Sequence, residues 1–206
     1  VVGNGDNGGP VDDSTTEAVK TEEVVKAIWG YSPLRTMKLT SNQSVSEFGK
    51  NLGALSEEGY GFNSFIFSSH GQYDEASFKI GNEMITGKNF SKTSSLSKYL
   101  TGSSVYILAC HTGGGANPEA SSKFVQGLAN LWGANVYANR SWGIPLNFGG
   151  SMHTNAFDAW YTNKYEYNGT RDNAVAFRGQ FLIASPGNKT PTVIKNLRLF
   201  SPLYHK

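Results

Sequence analysis

The stretch SSVYILACHTGGG, residues 103 to 115, decides the fold. Its apolar run from Val105 to Ala109 has the length of one strand, and its near-continuous apolar character marks a strand buried on both faces, as in a parallel sheet covered by helices. The run ends at Cys110, the single cysteine of the chain, directly before a cluster of glycines. Working backwards, FNSFIFSSHG has the same design: Phe62, Phe65, Ile66 and Phe67 form a short apolar run that ends at His70 and Gly71. Working forwards, ANVYANRS supplies a third strand and GQFLIAS a fourth.

Helical patterns separate these strands. SVSEFGKNLGALSEEGY places Val45, Phe48, Leu52 and Leu55 at spacings of three, four and three, along one helical face. PEASSKFVQGLANLWG opens with Pro118 in the first turn and closes at Gly133, with Phe124, Val125, Leu128, Leu131 and Trp132 as its apolar face. STTEAVKTEEVVKAIWGY begins with Ser14 and Glu17 in a capping-box arrangement and predicts a further helix. NFSKTSSLSKYL reads as a polar helix with Leu96 and Leu100 on one side. SFKIGNEMITG reads as a hairpin turning at Gly81 and Asn82. The tail GNKTPTVIKNLRLFSPLYHK reads as a solvated edge strand or an irregular segment. Strands alternating with helices predict an α/β protein with a mostly parallel central sheet covered on both faces.

A chain of 206 residues with 38% apolar content suffices for one domain with a sizeable core. The opening segment VVGNGDNGGPVDD, residues 1–13, reads as a flexible leader or linker, and residues 14–206 as the single domain. Gly3, Gly5 and Gly8 match GxGxxG, but a dinucleotide site requires a preceding strand and a following helix, and the sequence suggests neither. A net charge of +2 spread along the chain gives no basic stripe for a phosphate backbone, so nucleic acid is not an expected partner. No run approaches the roughly 18 apolar residues of a spanning helix, which predicts a soluble domain. The first residue, Val1, suggests a processed piece once attached to a larger polypeptide, secreted or not. One cysteine excludes an internal disulfide and every cysteine-based zinc spacing, and no metal or cofactor is expected.

Parallel sheets present functional groups at the carboxyl ends of their strands. Two successive buried strands end here in His70-Gly71 and in Cys110. If those strands are neighbours running the same way, an imidazole and a thiol emerge at the same sheet edge. A thiol attacks as the thiolate, so a nearby imidazole is what acyl transfer needs. The tetrahedral intermediate needs amide donors, which Gly71 and Cys110 are placed to give. His111, next to the thiol, reads as a loop histidine facing away, and His153 as an exposed loop histidine. GNEMITGKN departs from a phosphate-binding loop in spacing and in its final residue, and neither GxSxG nor HExxH occurs.

These residues resemble a family. SHG after one apolar strand and ILAC ending the next are similar to the His-Gly and Ala-Cys motifs of the caspase-like cysteine peptidases of clan CD. ACHTG is nearest to the CHAT-type form, and the likeness extends to the self-processing domains of bacterial toxins. It spans roughly residues 60 to 143 and includes SSKFVQGLANLWGANVYANRSWG. His70 and Cys110 lie 40 residues apart, on the scale of the about 50 found in caspases. The resemblance implies Cys110 as nucleophile, His70 as base and acid, and the Gly71 and Cys110 amides as the oxyanion hole. It also implies a three-layer α/β/α sandwich with a mostly parallel central sheet, and a protein or peptide substrate. After the cysteine, HTGGG departs from the short Gln, Arg or Gly sequence of caspases.

In this clan the loop after the next strand helps to build the pocket for the residue before the cleaved bond. That loop is NRSWG here, with Arg140 and Ser141 suited to an acidic side chain. Asp74 and Glu75, beside the histidine, are equally suited to a basic one, and both options stay open. The competing expectation is a catalytically inactive domain on the same fold, binding protein or glycan through the tryptophans and tyrosines between 132 and 167.

Overall fold

The computed structural model describes residues 2–4, 37–39, 43–140 and 177–199. Its centre is a seven-stranded sheet in the order β2-β1-β3-β6-β7-β8-β9. The strands are β1 (Val2–Asn4), β2 (Met37–Leu39), β3 (Ser64–Ser68), β6 (Ser104–Ile107), β7 (Asn135–Asn139), β8 (Phe177–Ala184) and β9 (Thr192–Leu199). β2, β1, β3, β6 and β7 run parallel, whereas β8 and β9 are added antiparallel. A separate hairpin, β4 (Ser77–Ile80) and β5 (Glu83–Thr86), turns at Gly81 and Asn82 as the sequence predicts.

One expectation changes. Val2–Asn4 do not belong to a flexible leader: they form β1, paired on one side with Met37–Leu39 and on the other with Phe67 and Ser68. A parallel partner on each side supplies the order that the glycine-rich sequence does not. The sheet is mostly parallel, as the sequence predicts, with its parallel part ending at β7 and the fourth predicted strand, β8, antiparallel to it. The predicted helix of residues 14–31 and the remainder of the leader lie outside the described residues. The C-terminal segment is an edge strand, with Val193 and Ile194 partly exposed.

The helices are α1 (Val45–Glu57), α2 (Ser97–Leu100), preceded by a 3-10 turn at Phe90–Leu96, and α3 (Pro118–Trp132). α1 starts on a reciprocal capping box between Ser44 and Glu47 and buries Val45, Phe48 and Leu52. α3 starts with the Asn117 side chain accepting the Ala120 N–H and ends on Gly133 in the left-handed conformation. Leu96 and Leu100 are both fully buried, as their spacing predicts.

These elements share one core with alternate residues of the sheet: Phe65 and Phe67 of β3, Val105 and Ile107 of β6, Val136 and Ala138 of β7. Trp132 stacks on Phe67 with ring centroids 6.4 Å apart, and Phe78 meets Phe67 at 5.6 Å. The Trp132 indole N–H donates to the Thr93 hydroxyl over 2.9 Å, which in turn donates to the Phe90 carbonyl. A large ring thus enters the core with its one polar atom satisfied. The intervening residues face the opposite side of the sheet. There Ile66 and Phe181 are buried, and Tyr106 stacks on Tyr137 at 4.7 Å. Burial, then the neighbouring Tyr137, pushes the Tyr106 hydroxyl up to about 12. No helix among the described residues is long and apolar enough to cross a membrane.

Candidate active site

β3 and β6 are adjacent and parallel, and their pairing runs from Ser64 with Ser104 to Phe67 with Ile107, an offset of 40 throughout. Adding the same offset to position 70 gives position 110, so His70 and Cys110 stand at matching places beyond the two strand ends. Neither residue is itself in a strand. β3 stops at Ser68, and the Ser69 hydroxyl accepts the Lys79 N–H of β4 over 3.1 Å. β6 stops at Ile107, with Leu108 N–H making a last bond to the Phe67 carbonyl at 2.9 Å.

Beyond these ends, two loops are pressed together. A Cβ on Gly71 would overlap the Cys110 carbonyl oxygen and lie 2.8 Å from the Ser77 carbonyl oxygen. Only glycine allows the histidine loop to approach the cysteine turn this closely. Ser77 ties both loops to β4: its hydroxyl accepts the Gln72 N–H at 3.1 Å, and its carbonyl accepts the Thr112 hydroxyl at 2.7 Å. His70 is exposed and Cys110 half-buried, so this edge reaches solvent. No hydrogen bond among the described residues uses the Gly71 N–H.

The glycine cluster has a packing reason. The Gly113 N–H donates to the Asn139 carbonyl over 2.7 Å, and the Gly114 N–H to the His111 carbonyl over 3.0 Å. A Cβ on Gly113 would lie 2.6 Å from the Ala138 carbonyl oxygen, and one on Gly114 would overlap that of Arg140. HTGGG is therefore a turn seated against the carboxyl end of β7, and the Ser121 hydroxyl of α3 closes it by donating to the Gly114 carbonyl.

His111 is not the surface histidine that its loop position suggests. It is 6% exposed, and it carries the only positive φ among the described non-glycine residues, 56°. Its ring stands edge-on to Tyr73, with centroids 5.0 Å apart. Burial holds its pKa below the ordinary 6.5, and a hydrogen bond with the Arg140 backbone partly opposes that shift. The native state therefore keeps His111 neutral where the unfolded chain binds a proton. The stability this contributes is complete above about pH 6.5 and is lost as pH falls through the lowered folded value. Thermal melts taken on both sides of that pH should show a larger acid drop for the wild type than for His111→Asn; equal drops would remove His111 as the cause.

The specificity candidates are only partly gathered here. The Arg140 backbone borders the cysteine turn, but its guanidinium donates to the Gln180 side chain of β8 at 3.3 Å. Asp74 is exposed on the histidine loop, and Glu75 pairs with Lys88 at 3.4 Å. Ser141 and His153 lie outside the described residues. Of the aromatics considered as a glycan surface, Trp132 is in the core and Tyr137 in the stacked pair; those from 142 onward lie outside the described residues. Sequence reasoning gave no role to Tyr73, Ser77 or Thr112. Tyr73 had one signal, an aromatic three residues after the histidine in a polar loop; the other two had none. Comparison of the chain with protein-family models and with curated proteins gives no match.

Proposed function

We propose that the chain is a caspase-like cysteine endopeptidase domain acting through Cys110 and His70. The observation that carries this reading is the common register of two neighbouring parallel strands, with Gly71 packed on the Cys110 carbonyl. In the proposed reaction the Cys110 Sγ, as thiolate, bonds to the peptide carbonyl carbon, and the carbonyl π electrons move onto oxygen. The Gly71 and Cys110 N–H groups hold that oxyanion. Collapse breaks the C–N bond while the His70 imidazolium protonates the leaving amine. Water then attacks the thioester, His70 takes its proton, and Cys110 leaves as thiolate. The chemistry of this dyad requires no metal or cofactor.

The same reading makes the architecture a three-layer α/β/α sandwich, supported by the burial of Ile66 and Phe181 on the sheet face opposite α1 and α3. It casts the domain as a self-processing or effector module of a larger bacterial protein, with a protein or peptide as substrate. Arg140, Ser141 and Asp74 are the candidates for reading the residue before the cleaved bond. The test is incubation of a mixed peptide library with the purified chain, before and after complete alkylation of Cys110 by iodoacetamide. Cleavage that alkylation removes is the expected result; cleavage that survives it would reject the assignment.

A further inference from the structure

We propose that His111 is a positioning residue for Cys110: its buried imidazole, wedged between the histidine loop and the end of β7, holds the cysteine turn at its working distance from His70. This inference rests on the peptidase reading above. A left-handed backbone at a non-glycine residue persists only where its surroundings enforce it, and such strain gathers at functional sites. Here the only such residue described follows the candidate nucleophile directly. Its ring touches both walls of the turn. On one side is Tyr73 of the histidine loop, edge-on at 5.0 Å; on the other is the backbone of Arg140 at the end of β7.

The neighbouring bonds turn this wedge into a constraint on the thiol. The Thr112 hydroxyl is held by the Ser77 carbonyl at 2.7 Å, and the Ala116 N–H by the Tyr73 carbonyl at 2.9 Å. With the turn fixed after position 111, a change in φ at His111 must move the residue before it. That movement shifts the Cys110 carbonyl, which is the atom Gly71 packs against. His111 thus couples its own packing to the relation between Cys110 and the histidine loop. Tyr73, 56% exposed, forms the outer side of the wedge.

The test is the pH dependence of Cys110 alkylation by iodoacetamide, followed by intact mass on the folded chain, with thermal melting as a check of fold. Three variants are compared with the wild type. His111→Gly keeps the left-handed backbone but removes the wedge, His111→Asn tolerates that backbone and keeps a small polar group, and Tyr73→Ala removes the outer wall. Wild-type Cys110 should react in mildly acid solution. In His111→Gly the rate near pH 6 should fall about ten-fold, as expected for a thiol pKa raised by one unit toward the free value of about 8.5. His111→Asn should restore part of the rate, and Tyr73→Ala should lose part of it. A purely structural role would change melting temperatures and leave the alkylation midpoints alone; unchanged midpoints in the folded variants overturn the proposal. If His111→Gly does not fold, the other two variants decide by the same criterion. A wild-type thiol with an ordinary midpoint overturns the dyad, and this inference with it, which separates the two failures.

Discussion

Cys110→Ala is expected to abolish peptide cleavage, lowering kcat/KM by about 10⁴-fold or more, because the substitution removes the atom to which the acyl group is transferred. His70→Ala should cost about 10²- to 10⁴-fold, the range for loss of a positioned proton-transfer group. The two losses should not add. Once Sγ is gone the imidazole has no thiol to activate, so the double variant should be as slow as Cys110→Ala alone. The Gly71 and Cys110 amides survive in all three variants and would sustain any residual rate above water. Product peptides quantified by mass spectrometry check the series. Cleavage retained in Cys110→Ala would end the peptidase reading. Cleavage lost in Cys110→Ala but kept in His70→Ala would move the base elsewhere, and buried His111, packed under Tyr73, is poorly placed to serve.

The strands and helices between positions 43 and 140 were legible because each carries its own signal: β3 and β6 as short apolar runs, α1 and α3 as periodic faces. The adjacency of the two strands that lead to His70 and Cys110 was legible for a related reason. Each follows an apolar run in the same order, and a parallel pairing converts equal distance from the strand start into spatial proximity. What was not legible depends on partners remote in sequence. β1 is three residues of valine, glycine and asparagine whose order comes from pairing on both sides, and no local pattern records that. The direction of β8 is equally silent, since alternation is the same for parallel and antiparallel strands. His111 was misread because two-residue alternation was extended past the end of β6, where the left-handed turn breaks it. The hydrogen bond from the Arg140 guanidinium to Gln180 was equally invisible, because its acceptor comes 40 residues later.

Gly71→Ala should separate the packing of the site from its chemistry, since it alters no reacting atom. Its Cβ would overlap the Cys110 carbonyl oxygen, with the Cys110 carbonyl carbon at 3.1 Å and the Ser77 carbonyl oxygen at 2.8 Å. All three atoms are backbone, and Ser77 is further fixed by its pairing with Thr86 and by the Thr112 hydroxyl. The histidine loop must therefore withdraw from the cysteine turn. Overpacking of this kind costs about 1–3 kcal/mol. A displacement of about 1 Å between reacting groups is enough to lower turnover about 10²-fold. Gly61→Ala is the control: no atom lies within 4 Å of its added Cβ, and a shortened list of unfolded conformations should leave it neutral or slightly more stable. Melting curves and peptide cleavage measured on both variants give the answer. If Gly71→Ala melts and cleaves like Gly61→Ala, the histidine loop and the cysteine turn do not meet at Gly71, and the proposed dyad loses the contact that supports it. If Gly71→Ala loses turnover beyond what its melting temperature explains, the spacing between the loops is itself part of the catalytic apparatus.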